Sequence, residues 1–238
     1  MRVKDYVVVD LETTGLSAKI DKIMEIGAVK VRNGKIVDTY VALVNPKTVI
    51  PQRVGELTGI TNEMVENGDD LDESVQKLLT FMGDDILVGH NIGFDYSFIK
   101  QWATNHKIPL EKNACDTLKI ARLILPPEQS KKLEALCEFF KIRRENAHRA
   151  LDDAVETWEV FEKLQDLAVE KGIDLPEAKP LIYKAKKQTP ATKHQKERLK
   201  EYIEKKDLNG KIEQINWETL TRSQASRIQD ILYATYGR

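Results

Sequence analysis

The chain has 238 residues, of which 41% are hydrophobic and 32% charged, and its formal net charge is −1. This composition is that of an ordinary globular protein and excludes collagen-like, mucin-like and intrinsically disordered chains. No apolar stretch reaches the roughly 20 residues that a helix needs to cross a bilayer, and the first residues lack the apolar core of a signal peptide. Cys115 and Cys137 form no disulfide framework, so we expect two buried free thiols in a cytoplasmic protein.

The near-neutral total hides an uneven distribution of charge. Residues 185–238 hold 12 Lys and Arg against 7 Asp and Glu, which leaves 25 against 31 for the rest of the chain. A solvated charged surface explains most such splits. The alternative is that the C-terminal segment attracts an anionic partner.

The first third of the chain predicts a buried strand followed by a hairpin. The β-branched run Val7–Val9 is typical of a strand buried on both faces. Two further strands are predicted over Ile23–Val31 and Ile36–Val44, and Asn33 and Gly34 lie between them. Because both turn residues tolerate a positive φ, they indicate a two-residue hairpin turn.

Helices dominate the rest of the chain, with one short strand predicted over Ile86–Val88. The first helix begins at Asp72 and Glu73 and has apolar residues at helical spacing. Further helices are predicted over residues 94–106, 117–125, 130–142, 148–171, 193–206 and 221–236. A hairpin followed by strand–helix units predicts an α/β fold, in which helices flank a mixed sheet.

Composition divides the chain into three parts. Residues 1–171 hold the sheet and its helices and predict one domain. Residues 172–190 contain three prolines and a lysine cluster and predict a linker. Residues 191–238 predict a small helical module, which is too short for more than a marginal core of its own.

A pair of acidic residues ends the first strand. Asp10 and Glu12 are two residues apart, so their side chains leave the same face of the strand. They lie at its carboxyl end, where open α/β sheets carry their active sites. Carboxylates that close a valine run are costly to bury unless they are paired or bound to a metal.

Two later segments add an acid at a helix start and a histidine. In HNIGFD (residues 90–95), Asp95 falls in the first turn of the predicted helix, where a carboxylate is also a common partner of the helix dipole. In HRALDD (residues 148–153), His148 and Asp153 lie about 140° apart on a helix. If His148 instead lies at the helix entry, its ring can reach a site that Asp153 lines. Asp152 is interpreted as an exposed acid.

These residues together indicate a metal site. Carboxylates from a strand end and two helix starts, namely Asp10, Glu12, Asp95 and Asp153, would repel one another without a cation. Oxygen ligands suit Mg²⁺ or Mn²⁺ and not zinc. Two such ions about 4 Å apart are a standard device for attack on a phosphodiester. The histidines lack the spacing of zinc ligands, and no Gly-rich loop of a phosphate-binding NTPase is present.

The motifs VVVDLETTGL, HNIGFD and HRALDD, in this order, resemble those of the DnaQ-like 3′–5′ exonucleases of the DEDD superfamily. The subgroup is the one with a histidine base, and it includes the proofreading ε subunit of bacterial DNA polymerase III. The resemblance covers about residues 3–170. It implies a ribonuclease H-like fold and hydrolysis that releases nucleoside 5′-monophosphates from DNA 3′ ends with two Mg²⁺ or Mn²⁺ ions.

The resemblance also implies roles for single residues. Asp10 would bridge both metals, Glu12 and Asp153 would complete the site of the attacking water, and Asp95 would support the second metal. His148 would accept the proton of that water. The segment Thr13, Thr14, Gly15 and Leu16 would hold the terminal nucleotide, with Leu16 between the last two bases. Phe94 and the segment Thr58, Gly59 and Ile60 would line the same pocket, although core packing is an alternative for Leu16 and Phe94.

Three functions are compatible with these residues. The first is a DNA exonuclease that acts on single-stranded 3′ ends in proofreading or repair, with a DNA polymerase as a possible partner and no membrane. The second is the same chemistry on RNA ends, because nothing in the sequence shows whether a 2′-OH is accepted. The third is a non-catalytic nucleic-acid-binding module. The C-terminal segment loosely resembles a helical module appended to nucleic-acid enzymes and does not resemble the polymerase-binding tail of the ε subunit.

Overall fold

A six-stranded mixed sheet forms the centre of the protein. The computed structural model describes residues 2–144, 149–209 and 215–237. The strands are β1 Tyr6–Thr13, β2 Ile23–Arg32, β3 Lys35–Leu43, β4 Leu87–Gly89, β5 Asn113–Asp116 and β6 Lys179–Pro180. Their order is β3-β2-β1-β4-β5-β6. The pairs β1–β4 and β4–β5 are parallel, and the other pairs are antiparallel.

Helices pack on the sheet, as the sequence predicted. The N-terminal helices are α1 Gln52–Thr58, α2 Asn62–Glu66, α3 Leu71–Met82 and α4 Gly93–Asn105. The others are α5 Thr117–Ile124, α6 Leu133–Phe140, α7 Ala150–Glu170, α8 Lys193–Lys205 and α9 Arg222–Tyr236. The predicted ribonuclease H-like arrangement of a mixed sheet between helices is confirmed.

The first strand is buried on both faces. Val7 and Val9 pack into one apolar cluster with residues of α3 and α4, and Val8 packs into a second cluster with residues of α7. Side chains alternate along a strand, so Asp10 and Glu12 follow Val8 onto the α7 side. The prediction of a strand between two layers is therefore confirmed, and it places both acids next to α7.

The predicted hairpin is confirmed by its turn. Asn33 has φ 51° and Gly34 has φ 74°, the two positive values that a type I′ turn requires. The turn pairs β2 with β3 so that Gly27 lies opposite Val41. Because β2 also pairs with β1, it lies between the hairpin and the first strand.

Four elements were not predicted: α1, α2, β5 and β6, the last of which has only two residues. Helices α1 and α2 have seven and five residues, too few for an apolar period to be recognised, and β5 has only four residues. Helix α7 begins at Ala150, two residues later than predicted, and α6 is shorter than its predicted range. Both cysteines are free and buried, as predicted.

The C-terminal helices have a small core of their own. Helices α8 and α9 each begin with a capping box, formed by Thr192 with Gln195 and by Thr221 with Gln224. Leu199, Ile203, Ala225 and Leu232 are buried between the two helices. The division of the chain at residues 171 and 190 stays a prediction.

The segment predicted as a linker lies against the sheet. Its residues 179–180 form β6 beside β5, and the N–H of Leu181 donates to the carbonyl of Lys112 at 2.8 Å. Gln101 on α4 donates to the carbonyl of Lys186 at 2.9 Å. Among the described residues, no helix combines the length and the apolar character that crossing a bilayer requires.

Candidate active site

Three carboxylates meet at the end of β1. One oxygen from each of Asp10, Glu12 and Asp153 lies within 4.8 Å of the other two. The first two residues belong to β1, and Asp153 belongs to the first turn of α7. We call these three residues and Asp95 the acidic cluster. The predicted proximity of the strand acids to the start of the long helix is therefore seen in the structure.

A glycine on β2 allows the start of α7 to lie close to the acids of β1. Gly27 pairs with Asp10 across the sheet. A Cβ atom built on Gly27 would lie 2.1 Å from the carbonyl carbon of Ala150, the first residue of α7. Since no side chain fits there, only glycine lets the helix start directly on the sheet beside Asp10.

A buried ion pair fixes the same helix start. Glu25 pairs with Glu12 across the sheet and is only 1% exposed. Its carboxylate accepts from both Nε and Nη2 of Arg149, the latter at 2.5 Å, and from the N–H of Ala150 at 2.9 Å. One carboxylate thereby binds both the side chain of Arg149, the residue before α7, and the N–H of Ala150, the first residue of α7. The roles of Glu25 and Gly27 were not predicted from the sequence, although a glutamate inside the apolar run of β2 was a signal for a buried partner.

The fourth acid of the cluster enters from α4. Asp95 lies in the first turn of α4 and is 4% exposed. Its Oδ1 accepts from the N–H of Leu11 at 3.0 Å, so its carboxyl group is held against the backbone between Asp10 and Glu12. The loop before α4 is itself tied down, because Asp116 accepts from the N–H of Asn91 at 3.1 Å.

The acids strongly perturb one another. Burial raises the pKa of Asp10 well above its usual range, and the negative charges of Asp95 and Asp153 raise it further. Burial and the charge of Asp153 raise the pKa of Glu12 to about 8. Burial also raises the pKa of Asp95 to about 8. Ionised together, these carboxylates require compensating positive charge, and an all-oxygen set fits Mg²⁺ or Mn²⁺.

Two arginines border the acidic cluster. Arg144 donates to Asp153 Oδ1 at 3.2 Å and to Glu156 Oε2 at 2.8 Å. Arg149, held by Glu25, opposes the rise in the pKa of Glu12. Both arginines supply part of the positive charge that the acids need.

The turn after β1 is ordered by its own hydrogen bonds. Thr13 Oγ1 donates to the carbonyl of Gly15 at 2.7 Å, and Thr14 Oγ1 accepts from the N–H of Lys22 at 2.9 Å. These contacts leave Leu16 projecting, with 87% of its surface exposed. The core-packing alternative for Leu16 is therefore wrong, and its exposure fits a contact with a ligand.

The other predicted pocket residues are less accessible. The side chain of Ile60 is fully buried in a cluster with Met24 and Val65. The predicted pocket contact of this side chain is therefore corrected: core packing occupies it. Thr58 is 4% exposed, and its Oγ1 donates to the carbonyl of Val54 at 3.0 Å. Of this segment, Gly59 is exposed.

The predictions for Phe94 and for Asp152 have different outcomes. Phe94 is half-buried and packs on Phe98, with ring centroids 5.2 Å apart, so the structure supports partial core packing there. Asp152 was predicted to be exposed but is half-buried, because the start of α7 packs directly against β2. His148 lies outside the described residues.

Comparison with known proteins gives the family. The profile of a family described as "Exonuclease" matches residues 7–161, and the chain belongs to this family. Two bacterial relatives are named "DNA polymerase III PolC-type". The Clostridium perfringens (strain 13 / Type A) protein is 41% identical over 177 residues and the Bacillus subtilis (strain 168) protein 39% over 171, covering 74% and 71% of this chain. The chain spans about 12% of the length of each relative.

Solved structures give the same fold. The structure titled "Exonuclease X in complex with 5′ overhanging duplex DNA" is 25% identical, with a TM-score of 0.53 over 71% of this chain and 94% of that one. The nuclease domain of 3′hExo, described as a DEDDh family member bound to rAMP, has a TM-score of 0.59 over 73% and 95%. At 20% identity, this second likeness supports the fold alone.

Proposed function

We propose that the chain is a metal-dependent 3′–5′ exonuclease that removes nucleoside 5′-monophosphates from the 3′ ends of single-stranded DNA. The acidic cluster carries this proposal, because three of its carboxylates converge within 4.8 Å at the end of β1. Such a set lies where α/β sheets bind substrates. The naming of the relatives as DNA polymerase III PolC-type supports DNA as the substrate.

The acidic cluster would hold the metal ions. Asp10, Glu12, Asp95 and Asp153 would bind two Mg²⁺ or Mn²⁺ ions, which supply charge neutralisation at the phosphodiester and an activated water. The raised pKa values of Glu12 and Asp95 support this assignment, because such carboxylates gain most when a cation replaces their protons.

The chain's own groups would position the strand and move the proton. The turn Thr13–Leu16 would hold the terminal nucleotide, with the exposed Leu16 against the last two bases. His148, two residues before α7, would accept the proton of the attacking water. The new P–O bond would then replace the bond to the 3′ oxygen, which stays on the shortened strand as a hydroxyl.

One assay tests the activity. Matched DNA and RNA oligonucleotides with a 5′ label are incubated with Mg²⁺, with Mn²⁺ and with EDTA, and Asp10→Ala serves as the control. We expect a ladder that shortens from the 3′ end of DNA, requires metal and is absent with Asp10→Ala. Shortening mainly of RNA would mean that the substrate is RNA and not DNA. A failure to shorten either strand would contradict the proposed activity. A polymerase partner and the cytoplasmic location stay predictions of the sequence.

A further inference from the structure

A large cleft opens beside the turn that follows β1. Its volume is about 740 Å³, within the range of about 300–1,000 Å³ typical of ligand sites. One wall comes from the body of the sheet and includes Thr14, Lys22, Lys47 and Leu71. The other wall is α9 with the residues before it and includes Arg227 and Ile231. Thr14 therefore belongs both to this cleft and to the proposed nucleotide-binding turn.

Polar contacts attach α9 to the loop that carries the turn. Gln224 Nε2 donates to the carbonyl of Ile20 at 3.0 Å, and Arg227 pairs with Asp21 at 3.5 Å. The same Asp21 accepts from the N–H of Ser17 at 2.8 Å. A Cβ atom on Gly15 would lie 2.6 Å from the carboxyl carbon of Asp21, so the turn and the cleft wall are in direct contact. The cleft is thus a continuation of the surface around the turn.

The cleft has charges of both signs, because Lys22, Lys47 and Arg227 line it together with Asp21, Asp70 and Asp72. Each of these acids accepts a hydrogen bond from a local donor: Asp21 from the N–H of Ser17, Asp70 from the N–H groups of Asp72 and Glu73, and Asp72 from the indole N–H of Trp102 at 2.7 Å. Lys22, Lys47 and Arg227, the last of which pairs with Asp21, are the groups that can meet a phosphate. The C-terminal segment 185–238 supplies one wall and carries a net excess of five basic residues, and Arg227 is the basic residue through which it lines the cleft.

Apolar surface between these cations fits unstacked bases. Ile231 is 52% exposed and Tyr236 is 40% exposed, and both line the cleft. Proteins that bind single strands without reading sequence combine a positively charged groove along the backbone with aromatic side chains, here Tyr236, on which bases stack. The cleft has both features, and it lies next to the exposed Leu16.

We propose that this cleft holds the portion of the substrate strand on the 5′ side of the nucleotides at the active site. The inference rests on the proposed exonuclease function and adds a second binding region for the same strand. Only a strand longer than the few nucleotides that the active site covers would then reach the cleft and gain affinity from it. Phosphates of the strand would compete with Asp21 for Arg227.

The test compares strand lengths. We measure kcat/KM on a DNA trinucleotide and on a 20-mer at several salt concentrations, for Lys47→Ala, Arg227→Ala and the double variant. The control is Lys205→Ala, which removes an exposed cation from α8 outside the cleft. Each cleft variant should lower kcat/KM on the 20-mer by about two- to fivefold, the size expected for one exposed ion pair. It should also reduce the salt slope by about 0.7 for each phosphate that the variant no longer neutralises.

Rates on the trinucleotide separate the two proposals. If neither substrate is hydrolysed, the proposed function itself fails. If both are hydrolysed and the cleft variants behave like Lys205→Ala, the exonuclease proposal stands and the cleft inference is wrong. A reduced rate with the 20-mer alone supports the inference.

A blocking experiment gives a second, independent readout. Because Cys115 and Cys137 are buried, a bulky maleimide should react mainly with a cysteine introduced on the surface. Labelled Ile231→Cys fills the cleft and should remove the advantage of the 20-mer over the trinucleotide. Labelled Ser223→Cys, on the same helix outside the cleft, should keep it. An unchanged advantage with labelled Ile231→Cys would mean that the cleft takes a different occupant and would overturn the inference.

Discussion

Gly27 and Ala150 are in backbone contact: the strand beneath the active site and the first residue of α7 leave no room for a single methyl group between them. Gly27 also pairs with Asp10. The contact therefore sets the distance between the strand that carries Asp10 and the helix that carries Asp153. The geometry of the acidic cluster depends on this close approach.

Gly27→Ala should therefore damage both stability and activity. The added Cβ meets backbone atoms 2.1 Å away, which no rotamer change can relieve. We expect the free energy of unfolding to fall by about 1–3 kcal/mol, as for overpacked cores. A displacement of α7 by about 1 Å would lower kcat about 100-fold. Urea unfolding and steady-state kinetics measure the two effects, and Gly93→Ala, which meets no atom within 4 Å, is the control for stability.

Glu25→Gln should weaken the same junction without adding bulk. The amide keeps an acceptor for the N–H of Ala150 but loses the charge that holds Arg149. Because Glu25 is buried, we expect unfolding to become easier by about 1–3 kcal/mol. Glu25→Ala should cost more, since it also leaves the N–H of Ala150 unsatisfied. Equal urea midpoints for the wild type and both variants would contradict this role.

The raised pKa values predict how metal and pH act on stability. Without metal, Glu12 and Asp95 take up protons up to about pH 8 in the folded state, but only to about pH 4 when unfolded. The folded state thus binds more protons between these values, and its stability falls as pH rises through this window. Added Mn²⁺ should therefore raise Tm more at pH 8 than at pH 6. Glu12→Gln should reduce this difference, and a metal effect that does not change with pH would contradict the account.

Substitution of the two neighbouring acids at the start of α7, Asp152 and Asp153, should change activity to different extents. Asp153 is 8% exposed and belongs to the acidic cluster, whereas Asp152 is half-buried and outside it. Removal of a hydrogen-bond partner of a metal ligand typically lowers metal affinity or activity about 10–100-fold. Removal of the ligand itself should lower activity at least as much. Asp153→Asn should therefore reduce kcat/KM at least about 100-fold, and Asp152→Asn should change it little. The reverse pattern would show that the assignment of the two acids is wrong.

His148→Ala tests the proposed base. We expect kcat to fall by about 10²–10⁴, the usual contribution of a general base, with KM much less affected. His106→Ala is a matched control, because His106 stacks on Trp102 on α4. An active His148→Ala protein would leave the proton transfer to another group.

Much of the fold follows from short patterns in the sequence. The valine run, the Asn33–Gly34 turn and the long α7 are recognisable because each repeats its signal over several residues or needs a positive φ. Strand β5 and helices α1 and α2 are too short to show a period. The linker prediction did not foresee β6, because two residues that pair with a neighbouring strand have no sequence pattern.

The candidate site was only partly predictable, for a different reason. Asp10, Glu12, Asp95 and Asp153 stand at element ends, where local sequence shows which way a side chain leaves. Glu25 and Gly27 act through contacts with α7, more than 120 residues away in the chain. Ile60 shows the converse, since its motif suggested a pocket and tertiary packing buried it.

The most direct test of the account is a titration of the protein with Mn²⁺ in the presence of a nucleoside 5′-monophosphate. We expect two ions per wild-type chain, and with Asp10→Ala we expect loss of high-affinity binding while the fold is retained. Circular dichroism of both proteins checks the fold. Wild-type protein that binds no Mn²⁺, or Asp10→Ala protein that binds it equally well, would contradict the claim that the acidic cluster is a metal site.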